Sequence, residues 1–455
     1  MTFNSYEFIF IFLPIALIIF YSLPNTNLAV LWMVTASLIF YGLISPRFLP
    51  LLILSVLVNY SLSLRVKASA SKRLWLIVGV CLNFLVLMFC KFTGALPLGI
   101  SFYTFTQTAY LVDVYRGEPG ASGLADYCRY VTFLGFITSG PIARFRDMTQ
   151  RFSPDYEAIA RGLTLFILGL FKKVFIADNL APVVNALFSA SGSLTFIEAW
   201  LAAVGYSMQL YFDFSGYSDM ALGVWIMFGG ADGLVNFASP YKSLSMIDFW
   251  RRWHMSLGAW VRDYVYIPLG GSREGEVRRT RNVILAMLFT GLWHGVGWTF
   301  LVWGALHGLL LGVNHWWRVH GFRLSVVVSW VLTFVSVVVL WVVFRAESLS
   351  EAWRVLCAMG DVRNIALPLK AHVSLGFLAG FGISFKKLIP ISNITFTQSC
   401  AMVLMASLST LILPNTSQIM DTFRPSKLWA AVCVVMAVIA FYNFSAVSDF
   451  LYFQF

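Results

Sequence analysis

Charge is what this sequence has least of: 12% of its 455 residues are Asp, Glu, Lys or Arg, against about 25% in soluble chains. That scarcity excludes a surface wetted all round. The six cysteines (Cys81, Cys90, Cys128, Cys357, Cys400 and Cys433) are scattered singly with no CxxC pair, which points to neither a disulfide framework nor a metal site. No Gly-Lys dipeptide occurs, so there is no Walker A loop, and no GxSxG turn presents a nucleophilic serine. ATP-driven transport and hydrolase chemistry lose support. Internal repeats, low-complexity segments and linkers rich in Pro, Gly or Ser are also missing.

What remains is apolar. Hydrophobic residues make up 59% of the chain and its mean hydropathy is +0.77. A spanning helix needs about 20 apolar residues, so the chain has room for roughly 10–12 transmembrane or re-entrant helices. The expected fold is all-α, a multi-pass integral membrane protein. The first 21 residues lack a basic n-region and a small-x-small cleavage site, so they are expected to remain as the first helix.

Apolar runs follow at Leu28 to Ile44, Leu49 to Leu64 and Leu74 to Phe92, then at Ile100 to Val114, Tyr130 to Ile142 and Ala160 to Ile176. Further runs are Ile197 to Phe212, Met220 to Gly229 and Val283 to Val313, several of them short or polar for simple spans. Leu324 to Phe344, Val373 to Ile383, Ala401 to Leu413 and Leu428 to Phe444 complete the series. The division expected is one membrane-embedded domain over 1–455, with N-terminal helices (1–97), a motif-bearing core (98–347) and C-terminal helices (348–455).

The net charge of +11 sits in short runs between apolar stretches, which suits membrane topology and no nucleic acid. Arg65, Lys67, Lys72 and Arg73 follow the third run and should be cytoplasmic, placing the N-terminus outside. Tyr241 to Arg281, with eight Lys/Arg against four Asp/Glu, should face the cytoplasm as well.

Polar residues concentrate from Gln209 to His315, inside segments apolar enough for the membrane, where such groups are costly and mark function. His294 stands out. No formal charge occurs between Arg281 and Arg318, and thirteen residues from Arg281 to His294 span about 20 Å of helix, which puts the imidazole deep in a core about 30 Å thick. An imidazole there can take a proton from a hydroxyl near neutral pH. A hydrogen bond to a neighbouring helix would equally account for a lone histidine between Trp293 and Gly295. His254, flanked by Trp250, Arg251, Arg252 and Trp253, suits either a site or an interfacial aromatic anchor. His307, His315 and His320 form no HExxH and no zinc set, and are expected to be structural. Neither His254 nor His294 has an Asp five residues on, so the HxxxxD arrangement of soluble and monotopic acyltransferases is absent.

Several ordered motifs point one way. They are Leu98-Gly-Ile-Ser-Phe-Tyr-Thr-Phe105, Tyr110-Leu-Val-Asp-Val-Tyr-Arg-Gly117, Gly140-Pro-Ile142, Gln209-Leu-Tyr-Phe-Asp-Phe-Ser-Gly-Tyr-Ser-Asp-Met220, Phe249 to His254, Arg262 to Gly271, Leu292-Trp-His-Gly295 and Phe344-Arg-Ala-Glu347. In them the sequence resembles the membrane-bound O-acyltransferase family, particularly its bacterial branch of alginate O-acetylase and peptidoglycan or teichoic-acid acyltransferases. The resemblance runs from about residue 98 to 347, with Phe3 to Pro14 and the helix around Phe40 and Tyr41 also similar. Where relatives usually carry Gln, and Pro-Gln, this chain has Thr106 and Gly135-Phe136.

The resemblance implies helices around a central funnel, with His294 at the family's catalytic histidine and His254 at its second polar position. It implies no bound cofactor, and an acyl donor that is either acetyl-CoA or a carrier-protein thioester. The acceptor would be hydroxyls of an exported or cell-envelope polysaccharide, with a periplasmic or surface acyltransferase as a possible partner. The location would be the bacterial inner membrane. Trp250, Arg251, Arg252, Asp263, Tyr264, Trp293 and Asp213 are the candidate substrate and donor contacts. A D-alanyl transferase fed by a carrier protein, or from another class a transporter of lipid-linked glycan, would share the basic face and the buried polar residues.

Overall fold

Among the described residues, four helices are long and apolar enough to cross a bilayer: Thr26–Ile44, Pro46–Ala68, Lys72–Thr93 and Val326–Arg345. They belong to an almost wholly helical chain, shown by a computed structural model that describes residues 1–148, 155–391, 394–444 and 450–451. The helices are α1 (Leu13–Ser22), α2 (Thr26–Ile44), α3 (Leu49–Ala68), α4 (Lys72–Thr93), α5 (Ile100–Tyr115), α6 (Leu124–Thr132) and α7 (Tyr156–Phe171). Then come α8 (Asp178–Phe188), α9 (Phe196–Met227), α10 (Met246–Trp250), α11 (Met255–Val261), α12 (Glu276–His294) and α13 (Trp298–Val319). The chain continues with α14 (Val326–Arg345), α15 (Leu349–Gly360), α16 (His372–Leu375), α17 (Phe396–Ile412), α18 (Thr416–Asp421) and α19 (Lys427–Tyr442). A two-stranded parallel ribbon pairs β1 (Ala366–Pro368) with β2 (Ser384–Lys386), Ala366 opposite Ser384.

Large apolar side chains lie on the outside of this bundle. Leu31, Ile39 and Leu43 of α2, Leu54 and Leu57 of α3, and Leu85 and Phe89 of α4 are exposed, as are Leu404, Met405 and Ile412 of α17. A water-soluble protein does not display such a belt; in a bilayer it is the surface that lipid covers.

The central post is α9, 32 residues long, about 48 Å at 1.5 Å per residue, and buried along nearly all of it. Its start is fixed by a capping box: Glu198 N–H donates to Thr195 Oγ1 (3.4 Å) and Thr195 N–H to Glu198 Oε2 (3.0 Å). Small residues let α7 lie directly against it. A Cβ added to Gly162 would come within 2.6 Å of the Gly223 carbonyl, and one added to Gly169 within 2.5 Å of the Gly216 carbonyl.

Five apolar runs fold differently from their hydropathy. Ile197 to Phe212 and Met220 to Gly229 belong to the single helix α9, because the polar Asp213-to-Asp219 stretch between them finds partners in Lys172 and Lys173, on the turn that joins α7 to α8, and in Thr416 of α18 instead of breaking the helix. Val283 to Val313 divides at Gly295 to Gly297 into the hairpin α12–α13. Tyr130 to Ile142 leaves helix after Thr132 and continues as buried irregular backbone, turning at Gly140 with φ of +103°. Val373 to Ile383 forms short, largely exposed turns and no spanning helix.

Backbone contact between α7 and α9 leaves no room for a larger residue. Gly223→Val should therefore destabilise the protein by about 1–3 kcal/mol through overpacking, whereas Gly192→Val, with open space around it, should leave the melting temperature of the detergent-solubilised protein unchanged. Thermal scans of both variants check this.

Candidate active site

The hairpin α12–α13 is closed by glycines. A Cβ on Gly291 would meet the Phe300 carbonyl at 2.3 Å, one on Gly304 the Met287 carbonyl at 2.4 Å, and one on Gly308 the Ile284 Cα at 2.8 Å. This close approach places His294, the last residue of α12, beside Trp303 of α13, with ring centroids 5.3 Å apart. His294 is buried, and so are Trp293 and Trp303.

Among the described residues, hydrogen bonds on both its ring and its backbone set His294. Its Nδ1 is 2.8 Å from the Thr290 carbonyl. A carbonyl only accepts, so Nδ1 carries the hydrogen and the neutral ring keeps its lone pair on Nε2. The backbone carbonyl of His294 accepts from the buried ammonium of Lys91 on α4 (3.0 Å), a cation at a helix C-terminus.

Trp293, beside it, anchors the tip. Its indole N–H donates to the Ser101 carbonyl (3.3 Å) and its ring stacks on Phe105 at 4.9 Å. Phe105 in turn lies face to face with Trp260 at 3.7 Å, and the Trp260 indole N–H donates to the Phe105 carbonyl (2.9 Å). The Leu98-to-Phe105 motif is thus the wall against which α11 and α12 are set.

His254 sits between α10 and α11 with φ of +40°, a left-handed conformation that costs a residue with a side chain about 1–2 kcal/mol. Asn236 holds it there. The Met255 N–H donates to the Asn236 carbonyl (2.9 Å), and the Ser256 N–H (3.3 Å) and Oγ (2.8 Å) donate to Asn236 Oδ1. That atom is therefore the amide oxygen, and His254 Nδ1, 3.1 Å away, donates to it. Asn236 Nδ2 donates to Ser218 of α9 (2.9 Å). His254 thus has the same tautomer as His294, with Nε2 as the basic nitrogen. Phe214 meets its ring edge-on at 4.6 Å, and Trp293 lies between the two histidines, 6.3 Å from His254 and 4.7 Å from His294.

The other expected residues divide. Trp250 joins this cluster by donating its indole N–H to His307 Nδ1 (3.2 Å). Arg251 is exposed, and Arg252 pairs with Asp248 (2.9 Å). Asp263 and Tyr264 form a separate clamp: Asp263 is bound by Arg144 and Arg262, and Tyr264 donates to both oxygens of Asp113 (2.8 Å each) beneath the Arg116 and Arg144 guanidiniums. Burial pushes the Asp263 carboxyl up, but those two arginines outweigh it and hold it below the ordinary carboxylate range. Asp213 lies elsewhere, in a buried ion pair with Lys173 (2.7 Å) that Asp178 shares (2.7 Å). The physical reason is that a charge inside the bundle needs an opposite charge beside it, and Lys173 supplies it. Among the described residues, no three of His, Cys, Asp and Glu converge as metal ligands.

The family model for membrane-bound O-acyltransferases matches residues 28–348. The chain belongs to that family. A probable alginate O-acetylase of Azotobacter vinelandii is 41% identical over 79% of this chain and 78% of the relative. A peptidoglycan O-acetyltransferase of Helicobacter pylori is 38% identical over 80% of this chain and 81% of the relative. A teichoic acid D-alanyltransferase of Streptococcus thermophilus is 32% identical over 48% of this chain and 57% of the relative. The protein is a membrane-bound acyltransferase.

Sequence reasoning missed Lys91, Asn236 and Ser256 of this acyltransferase. Lys91 carried a signal, a single cation near the end of the apolar run Leu74 to Phe92, whereas Asn236 lies in a loop where polar residues are ordinary. Because Asn236 ties the backbone and ring of His254 together, Asn236→Ala should leave buried donors unpaired at a cost of about 1–3 kcal/mol, and should lower acyl transfer at least about tenfold. Ester formation per unit of membrane protein measures this.

Proposed function

We propose that this acyltransferase moves a short acyl group, acetyl before any other, from a cytoplasmic thioester to hydroxyls of an exported or cell-envelope polysaccharide. The observation that carries the reading is the His294 Nδ1–H bond to the Thr290 carbonyl, which leaves a buried, basic Nε2 at the tip of a hairpin. Its similarity to an alginate O-acetylase and a peptidoglycan O-acetyltransferase over about four-fifths of the chain supports the acceptor class.

In this reading, the acceptor hydroxyl gives its proton to His294 Nε2 as its oxygen attacks the thioester carbonyl. The tetrahedral intermediate collapses, the carbon–sulfur bond breaks, and His294 returns the proton to the leaving sulfur. His254, of the same tautomer, accepts a hydrogen bond from the hydroxyl or donor and orients it. Acetyl-CoA is the ultimate donor. Arg251, exposed on the basic stretch from Lys242 to Arg281, suits its phosphates. Trp293 walls the site, Trp250 acts through His307, and Arg252, Asp263, Tyr264 and Asp213 hold the fold around it. The whole of 1–455 works as one unit in the bacterial inner membrane, passing acyl groups to a periplasmic or surface acyltransferase where the acceptor is distant. D-alanyl transfer from a carrier protein is the second reading, favoured by the partial match to a D-alanyltransferase.

Glutamine keeps the polarity of His294 but cannot carry its proton. His294→Gln should therefore lower acyl-ester content of envelope and secreted glycans by about a hundredfold or more at matched membrane levels. Proton NMR of those glycans from wild-type and variant cells reads the outcome, and an unchanged ester signal would defeat the reading.

A further inference from the structure

A thioester attacked by a hydroxyl develops a negative oxygen that needs hydrogen-bond donors. His294 and His254 both carry their hydrogen on an Nδ1 that is already bonded, so neither supplies one when neutral. His307 of α13 has the opposite tautomer. The Trp250 indole N–H can only donate, so His307 Nδ1, 3.2 Å away, accepts, and Nε2 carries the hydrogen.

That N–H is fully buried, and among the described residues it has no acceptor. The indole N–H of Trp303 is buried and lacks an acceptor in the same sense. Both belong to the ring that joins the histidines: Trp303 lies 4.7 Å from His307 and 5.3 Å from His294 between centroids. Inside a membrane protein, a buried donor without an acceptor is costly to keep, and such groups in native structures call for an explanation. The glycine contacts of α12 and α13 hold Trp303 against the base and, through it, His307.

We infer that His307 is a further catalytic residue, its Nε2–H donating to the acyl oxygen as that oxygen becomes negative. Trp250 is its positioning residue, fixing the donor tautomer. No proton is transferred by His307: the hydroxyl proton goes to His294 Nε2 and on to the leaving sulfur, while the His307 hydrogen bond strengthens at the oxyanion and relaxes as the ester forms. This assignment rests on the acyl-transfer reading above.

The test compares wild type, His307→Leu, His307→Gln, Trp250→Phe and His294→Gln in cells, by the initial rate of glycan ester accumulation in proton NMR and the melting temperature of each solubilised protein. His307→Leu should lower the rate about 10²–10³-fold with little change in melting, the loss expected for an oxyanion donor. His307→Gln, which restores an N–H, should recover at least about tenfold over His307→Leu, and Trp250→Phe should fall between them and wild type. The inference is overturned if His307→Leu stays near the wild-type rate. It is overturned equally if Leu and Gln lose activity alike in step with a lowered melting temperature, as a packing role requires. Should His294→Gln itself keep its ester, the acyl-transfer reading falls first and the assignment with it.

Discussion

A helix that ends inside a membrane protein leaves carbonyls that water cannot satisfy, and α12 ends at its most reactive residue. The Lys91 ammonium on the His294 carbonyl answers that need, while the Thr290 carbonyl within the last turn takes the imidazole Nδ1–H. One constraint thus does two things. It stops the helix where α13 can turn back, and it commits the ring to presenting Nε2. The hairpin glycines, the Trp293 anchor on Ser101 and the tie of His254 to Asn236 all refer to that tip.

Around the tip the structure is built from aromatic faces rather than from charge. Phe105, Trp260 and Phe289 lie nearly parallel, with Trp293 against Phe105, and Trp303, Trp341 and Phe344 close the other side. Aromatic pairs add about 0.5–1.5 kcal/mol each beyond their burial and define angles. That suits a site whose polar atoms must be few and fixed. Apart from Lys91 on the His294 carbonyl, the buried lysines are paired with carboxylates, as in Lys173 with Asp178 and Asp213, or Lys172 with Asp219. Removing one member of such a pair strands a buried charge, at about 3–5 kcal/mol, so these pairs lock α7, α8 and α9 together.

Much of this was legible in the sequence, because hydropathy and charge scarcity are local properties. The four long helices and the absence of formal charge along the chain on either side of His294 are of that kind, whereas the break of Val283 to Val313 at Gly295 to Gly297 was not foreseen. Asp213 drew attention as an ionisable group in an apolar run, and its partner could not be read there because Lys173 lies on a different stretch of chain. Lys91 was overlooked because its helix resembled an ordinary span. The joining of Ile197 to Phe212 and Met220 to Gly229 into one long helix, and the role of Asn236, depend on bonds between residues remote in sequence. Tautomers are less visible still. His254, His294 and His307 are identical as letters, and only their Nδ1 partners (an amide oxygen, a carbonyl and an indole N–H) make two of them bases and the third a donor.

That division of three buried histidines is the centre of the account, and nitrogen NMR of the isotope-labelled protein in lipid bilayers tests it directly, since the shifts of neutral imidazole nitrogens distinguish the two tautomers. With signals assigned by single His→Gln variants, His254 and His294 should appear with hydrogen on Nδ1 and His307 with hydrogen on Nε2. Finding His294 with hydrogen on Nε2, or His307 with hydrogen on Nδ1, would contradict the account.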